Sequence, residues 1–314
     1  MPQPPADVEE SVPPLGVAAA LLVALLWGLQ FVTSKVGVSA FPPLLFVALR
    51  FAFVAALLLP FARRPSRKDL RAAAVLSVFF GSLCFGLFFS GLRLGTAGLS
   101  AALSQLMTPF AILFAVPVLG ERPQFRVLIG VALAFGGVSV ALLGPAGSTP
   151  PLAALLITGG AAAQGFGTAL LRCLGPVPPM RLLAYMSLFA APQLALASAM
   201  IEHRQLEALH AAPALAWASL AYAVLFGAIA AFGLWFHLVG RYPLARVAPF
   251  ALLQTPFGIA AGVLVLGEPL SGPLIAGALI CMAGVALTQA TTDVRPRPMP
   301  PSCLDPVQCR SRPR

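Results

Sequence analysis

Charge is scarce in this 314-residue chain: 10% of its residues are charged, with ten acids and three histidines in all. A soluble globular protein carries roughly 25% charged residues. Here 59% are hydrophobic and mean hydropathy is +0.91, too much apolar surface for one ordinary core to hide. That excludes a typical soluble enzyme, a disordered chain and a disulfide scaffold. Catalytic signatures are also missing. There is no HExxH, no GxSxG and no paired intramembrane aspartate, so an intramembrane enzyme is only a remote alternative. No Walker loop supports an ATP-driven pump, and no charged ring or carbonyl filter supports a channel. The five cysteines fit neither zinc nor redox spacing and read as packed or free thiols. No metal or cofactor is expected. The first fourteen residues contain three acids and no Lys or Arg, so the first apolar run reads as a retained helix, not a cleaved leader.

Long apolar runs are what the chain does have. Ten are long enough for a membrane helix of about 20 residues. They cover roughly 15–35, 42–62, 70–92, 97–119, 125–143, 151–171, 181–201, 214–238, 245–267 and 273–290. The reading is an all-α polytopic membrane protein of ten transmembrane helices. The net charge of +10 then reflects basic loops, not nucleic-acid binding. If both termini are cytoplasmic, sixteen Lys and Arg residues lie inside. Three, Lys35, Arg93 and Arg204, lie outside, and Arg50 falls within the second span. The asymmetry has the sign expected of cytoplasmic loops. Residues 291–314 are Pro- and Arg-rich and read as a disordered cytoplasmic tail, opposite an N-terminal tail over 1–14.

The chain partly matches itself after a displacement of 147 residues. Thr108-Pro109-Phe110 matches Thr255-Pro256-Phe257, and Val118-Leu119-Gly120-Glu121 matches Val265-Leu266-Gly267-Glu268. Gly130 and Gly137 match Gly277 and Gly284. A weaker match sets Gln30 and Ser34 against Gln164 and Thr168. Two five-span units, 15–143 and 151–290, follow. Five is odd, so the second unit enters from the opposite side. Arg122 and Arg126 accordingly match the uncharged Pro269 and Pro273. Inverted repeats characterise secondary transporters, whose small-molecule site lies near the midplane between the halves.

Candidate site residues are polar groups on apolar helices. Trp27, Gln30 and Ser34 form one stripe, readable as cavity lining or as interhelical glue. Arg50 is costly at depth; it either meets a substrate carboxylate or holds a structural partner such as a helix-end carbonyl or Glu268. Ser104, Gln105, Thr108, Gln164, Thr168 and Gln254 are further lining candidates. Glu121, Glu268 and His237 are the candidates for coupling or gating, although the two acids, at the membrane edge beside a Pro or Arg, read first as helix-end carboxylates. Pro109 and Pro256 fall at matched mid-span positions as hinges or static bends. Lys35 is expected at a helix end, reaching the interface.

The runs WGLQFVTSKVG, FPPLLFVALRFAFVAALLL, GLRLGTAGLSAALSQLMTPF and LGERP resemble the EamA family of the drug/metabolite transporter superfamily. GRYPLARVAPFALLQTPFGIAAGVLVLGEPL is most similar to bacterial exporters of cysteine and O-acetylserine. The resemblance spans about 15–290. It implies two EamA repeats around a central cavity and export by alternating access from the bacterial inner membrane. Its expected partners are a small-molecule substrate and the lipid bilayer. Cysteine-like amino acids are the implied substrates, and drugs or other metabolites of the same superfamily are the alternative.

Overall fold

The structure is a computed structural model that describes residues 12–143, 150–174 and 177–290. Most of the expected N-terminal tail and all of the C-terminal tail lie outside the described residues. The rest is a succession of helices. They are α1 (Pro14–Ala40), α2 (Pro43–Leu58), α3 (Arg67–Leu76), α4 (Cys84–Leu94), α5 (Ala97–Ser104), α6 (Met107–Leu119), α7 (Phe125–Ala141) and α8 (Pro151–Leu174). There follow α9 (Pro179–Ile201), α10 (Gln205–Ala211), α11 (Ala214–Val224), α12 (Ala231–Arg241), α13 (Leu244–Ala251), α14 (Gln254–Leu266) and α15 (Gly272–Ala290). Short π-helical segments, Ser77–Leu83 and Leu225–Ala230, splice α3 to α4 and α11 to α12.

Among the described residues, nine helical rods are long and apolar enough to cross a membrane. The expected tenth, α7, is 17 residues, a length of about 25 Å. Proline opens α1, α2 and α9 because the first turn needs no N–H from it. Gly120 and Gly267 end α6 and α14 at φ 67° and 65°, where a side chain would strain the backbone. Large apolar side chains such as Leu264 (82% exposed) and Leu155 (69%) face outward, as lipid permits and water does not. Cys84 and Cys281 are buried free thiols. Cys173 is likewise buried, on α8.

The element bounds repeat. Arg67–Leu94 recurs as Ala214–Arg241, Ala97–Ser104 as Leu244–Ala251 and Met107–Leu119 as Gln254–Leu266. Each pair is displaced by the 147 residues of the sequence match. The glycines of that match pack on one another. A Cβ on Gly130 would come 2.7 Å from the Gly284 carbonyl, and one on Gly277 would come 2.5 Å from the Gly137 carbonyl. The backbones of α7 and α15 therefore touch through glycine, the close approach that small residues permit in lipid.

The first rods follow a different displacement. Gly28 of α1 lies against Phe257 and Gly258 of α14, and Gly165 of α8 lies against Phe110 and Ala111 of α6. Phe257 and Phe110 are repeat mates, so Gly28 corresponds to Gly165. This corrects the weaker sequence match: Gln30 and Ser34 do not correspond to Gln164 and Thr168. Trp27 corresponds to Gln164, and Gln30 to Gly167. Packing sets this register, because close backbone approach needs a glycine in both helices, whereas a polar pair at i, i+4 recurs easily.

Candidate functional site

The two π segments organise the polar groups. In a membrane helix each backbone polar group must be satisfied within the protein, and a π segment disturbs the regular ladder. Arg50 approaches the second segment from α2. It is 2% exposed, and its Nε donates to the Ala223 carbonyl at 3.3 Å, at the junction of α11 with the π segment. The guanidinium carbon stands 4.5 Å from the Phe85 ring centroid and 5.9 Å from that of Phe89. Its Nη1 has no hydrogen-bond partner. No acid pairs with Arg50 among the described residues: Glu268, one expected partner, is engaged elsewhere, and a helix-end carbonyl is the partner found.

One turn further along the same rod, the Gln30 carboxamide of α1 fills the space beside Gly227. Trp27 packs against Phe232 and Trp235, with centroids 5.4 and 5.5 Å away. Ser34 is 1% exposed and its hydroxyl has no partner. Between α4 and α8, Cys84 donates through Sγ to Gln164 Oε1 at 3.5 Å, and Thr168 donates back to the Gln164 carbonyl at 2.9 Å. The Arg50 guanidinium lies over the ring of Phe85, the residue next to Cys84 on α4. Arg50, Cys84 and Gln164 thus form a line from α2 across α4 to α8, and Gln30 closes on the same π-segment rod that Arg50 holds.

Gln105 lies apart from this group. Pro109 and Pro256 have no N–H, so each rod breaks four residues earlier, at Gln105 and Leu252. Gln105 donates through Nε2 to Thr255 Oγ1 at 2.6 Å and, at 3.3 Å, to the Leu252 carbonyl, which has no i+4 N–H and accepts from Thr255 N–H at 3.1 Å. Thr255 donates onward to the Ala101 carbonyl. The two breaks are pinned to each other, and both prolines stand at this pin. Ser104 bonds its own helix at the Ala101 carbonyl. Gln254 is buried, Thr108 is half-buried, and His237 is exposed on α12 without a hydrogen bond.

The carboxylates sit at helix ends. Glu268 accepts from the Ala97 and Gly98 N–H groups at 2.6 and 2.9 Å, capping α5 where its unpaired N–H groups favour an anion. Glu121 forms a two-pronged ion pair with Arg172, at 2.6 and 3.1 Å. Lys35 corrects the expectation of a helix end: α1 runs five residues further, and Lys35 Nζ donates to the carbonyls of Leu92, Arg93 and Gly95 at 2.6–2.8 Å. It caps the C-terminus of α4 instead of reaching the interface. No group of three metal-ligating side chains occurs among the described residues.

Several polar residues escaped the sequence reading. Gln193 of α9 accepts from Ser82 at 2.7 Å and donates to Ser77 at 2.9 Å, bracing the first π segment. Its signal was a lone carboxamide next to Pro192 in an apolar run. Glu202 caps α2 at the Leu44 and Leu45 N–H groups, so Glu121 and Glu268 are not alone as helix-end acids. Tyr222 donates to the Leu26 carbonyl at 3.0 Å. A surface pocket of about 450 Å³ is lined by Pro42, Pro43, Arg93, Glu202 and His203, none of them a sequence candidate.

The EamA-like transporter family model matches residues 14–143 and again 151–289. A relative in Salmonella typhimurium named "Probable amino-acid metabolite efflux pump" is 33% identical over 276 residues, 85% of this chain and 92% of that protein. A relative of the same name in Escherichia coli is 31% identical over the same shares. A solved crystal structure, 21% identical, shares the fold with a TM-score of 0.55, covering 88% of this chain and 96% of the other.

Proposed function

The chain belongs to the EamA-like transporter family, and from that premise we propose that it exports small amino-acid metabolites across the bacterial inner membrane. Cysteine and O-acetylserine are the substrates the reading favours. In this reading ten helices span the bilayer as two inverted five-helix halves with both termini cytoplasmic, and α7 crosses as the shortest. The basic loops support that orientation, because Arg63, Arg64, Arg67, Lys68, Arg71, Arg122, Arg126, Arg172 and Arg181 then all face the cytoplasm.

The observation that carries the substrate class is Arg50. A guanidinium buried among aromatic rings with an unpaired N–H is costly unless something completes it. A substrate carboxylate supplies the missing acceptor and neutralises the charge. Gln30 of α1 and Gln164 of α8 offer amide groups to the ammonium and the side chain of a zwitterion. Transport by alternating access then exposes this layer to one side at a time.

The test is efflux of labelled cysteine and O-acetylserine from preloaded cells with and without the protein, with an unrelated neutral amino acid as control. Faster loss of the two labels alone is the expected result. Unchanged efflux, with the protein verified in the membrane, overturns the cysteine reading and directs the search to other metabolites in the medium.

A further inference from the structure

The repeat pairs four charged residues, and the structure uses the two pairs differently. In the register that matches Gly28 with Gly165, Lys35 corresponds to Arg172. In the register that matches Gly120 with Gly267, Glu268 corresponds to Glu121. Lys35 and Glu268 hold the α4–α5 junction from both sides: the cation on the last carbonyls of α4, the anion on the first N–H groups of α5. The equivalent junction joins α12 to α13. Its carbonyls are those of Val239, Gly240 and Tyr242, and its N–H groups are those of Leu244 and Ala245. Arg172 and Glu121 do not engage them and bind each other instead, half-exposed.

Helix packing shows the same asymmetry. α14 packs along α5, and α1 packs along α4 and α5. Of the equivalent pairs, α6 with α13 and α8 with α12 and α13, none packs comparably. One end of the molecule is therefore closed across the halves, and the other is open. A Cβ on Gly262 would stand 2.6 Å from the Glu268 carboxylate, whereas Ala115 holds the corresponding position on the Glu121 side.

We propose that the two charge pairs are alternative states of one latch. When the molecule opens at the α4–α5 end, Lys35 and Glu268 leave that junction and pair with each other. At the same time Arg172 moves onto the Val239, Gly240 and Tyr242 carbonyls, and Glu121 onto the Leu244 and Ala245 N–H groups. Each state keeps all four charges partnered, so neither end opens at the cost of a stranded ion. The two ends correspond in their charges and backbone partners and differ at Gly262 and Gly98, whose mates are Ala115 and Ala245, so the second closure copies the first in its pairing and seats its carboxylate beside alanine instead of glycine. This inference rests on the exporter reading for its purpose, but its test does not use transport.

The test measures distances by double electron–electron resonance on the full-length chain with its native cysteines replaced, in lipid nanodiscs without substrate. One spin-label pair, at Leu94→Cys and Leu270→Cys, reports the α4–α5 end. A second pair, at Gln124→Cys and Gly240→Cys, reports the α12–α13 end. Glu268→Gln keeps the side-chain shape and removes the anion from both states. The cost is greater to the closed junction, where it accepts two backbone N–H bonds, than to the open one, where a pair with Lys35 is as half-exposed as that of Arg172 with Glu121. We expect it to lengthen the first distance and shorten the second, moving the ratio of the two states about tenfold. Glu121→Gln weakens the opposite closure and is expected to shift the ratio the other way. Unchanged distances in both variants, or shifts of the same sign, overturn the latch. Opposite shifts support it even where no amino acid is exported, so failure of the substrate reading is a separate result.

Discussion

The two π-helical segments occupy equivalent places in the two halves and are treated in opposite ways. Around Ser77–Leu83 the polar groups satisfy one another: Gln193 takes a hydrogen bond from Ser82 and gives one to Ser77, which itself donates to the Ala74 carbonyl. Around Leu225–Ala230 they do not. Arg50 gives one hydrogen bond to Ala223 and leaves Nη1 unpaired. Even the steric fit is reversed. In the first half Phe80 stands against Gly167; in the second Gly227 stands against Gln30, large and small having changed helices. Pro42-Pro43 and Pro178-Pro179 align α2 with α9 and put Met186 where α2 carries Arg50. A duplicated scaffold can thus keep one copy complete in itself and leave the other incomplete.

The comparison can be broken most severely where the halves touch. Gly137→Leu drives a side chain into the backbone of α15 around Gly277 and Cys281. It is expected to abolish the monodisperse protein peak in detergent chromatography, because neither backbone has room to shift without unpacking both helices.

Arg50→Met copies the other half's solution and should preserve membrane insertion while lowering export of a carboxylate substrate about 100-fold. That is the scale of losing a charge-assisted hydrogen bond of about 3 kcal/mol. Efflux rates at matched membrane abundance check this, and wild-type flux would remove Arg50 from the site. Gln30→Ala is expected to cut the flux more mildly, about tenfold, on the same measurement.

The size reversal makes a rescue experiment. Gly227→Phe alone should block folding or transport, because the Gln30 carboxamide occupies that space. Adding Gln30→Gly installs the arrangement of the first half and should restore folded protein, read as recovery of thermal stability in detergent. Failure of the pair to recover more than either single variant would mean that the halves are less alike here than their packing indicates.

The smallest effect is expected at the satisfied segment. Gln193→Leu removes two interhelical hydrogen bonds, each contributing about 0.6 kcal/mol in lipid. A fall of a few degrees in Tm with efflux within about twofold of wild type would mark this copy as structural. A large loss of transport would place the working site here instead.

Much of the scaffold was legible along the chain. The apolar runs predicted most rod boundaries within a few residues, and Thr-Pro-Phe and Leu-Gly-Glu revealed the repeat. The site was less legible. Gln105 has the residue type of a cavity-lining amide, yet it is 1% exposed and fully engaged with Thr255 and Leu252. Nothing local marks it, because the carbonyl it serves lost its i+4 partner to a proline 151 residues away in sequence. Gln193 was overlooked for the converse reason: one polar residue in an apolar run reveals no partner until the neighbouring helix is in place.

By itself the sequence determined the class of molecule, its family and its repeat, since lipid demands long apolar runs and each run is a local property. It also determined the matched bends ahead of Pro109 and Pro256, because a missing proline N–H acts on its own helix. Only the tertiary structure decided the register of α1 against α8, the partners of Arg50 and which junction holds its charged caps. Those depend on contacts between rods far apart in the chain. A carbonyl or a guanidinium finds its partner by distance in space, which residue order does not encode.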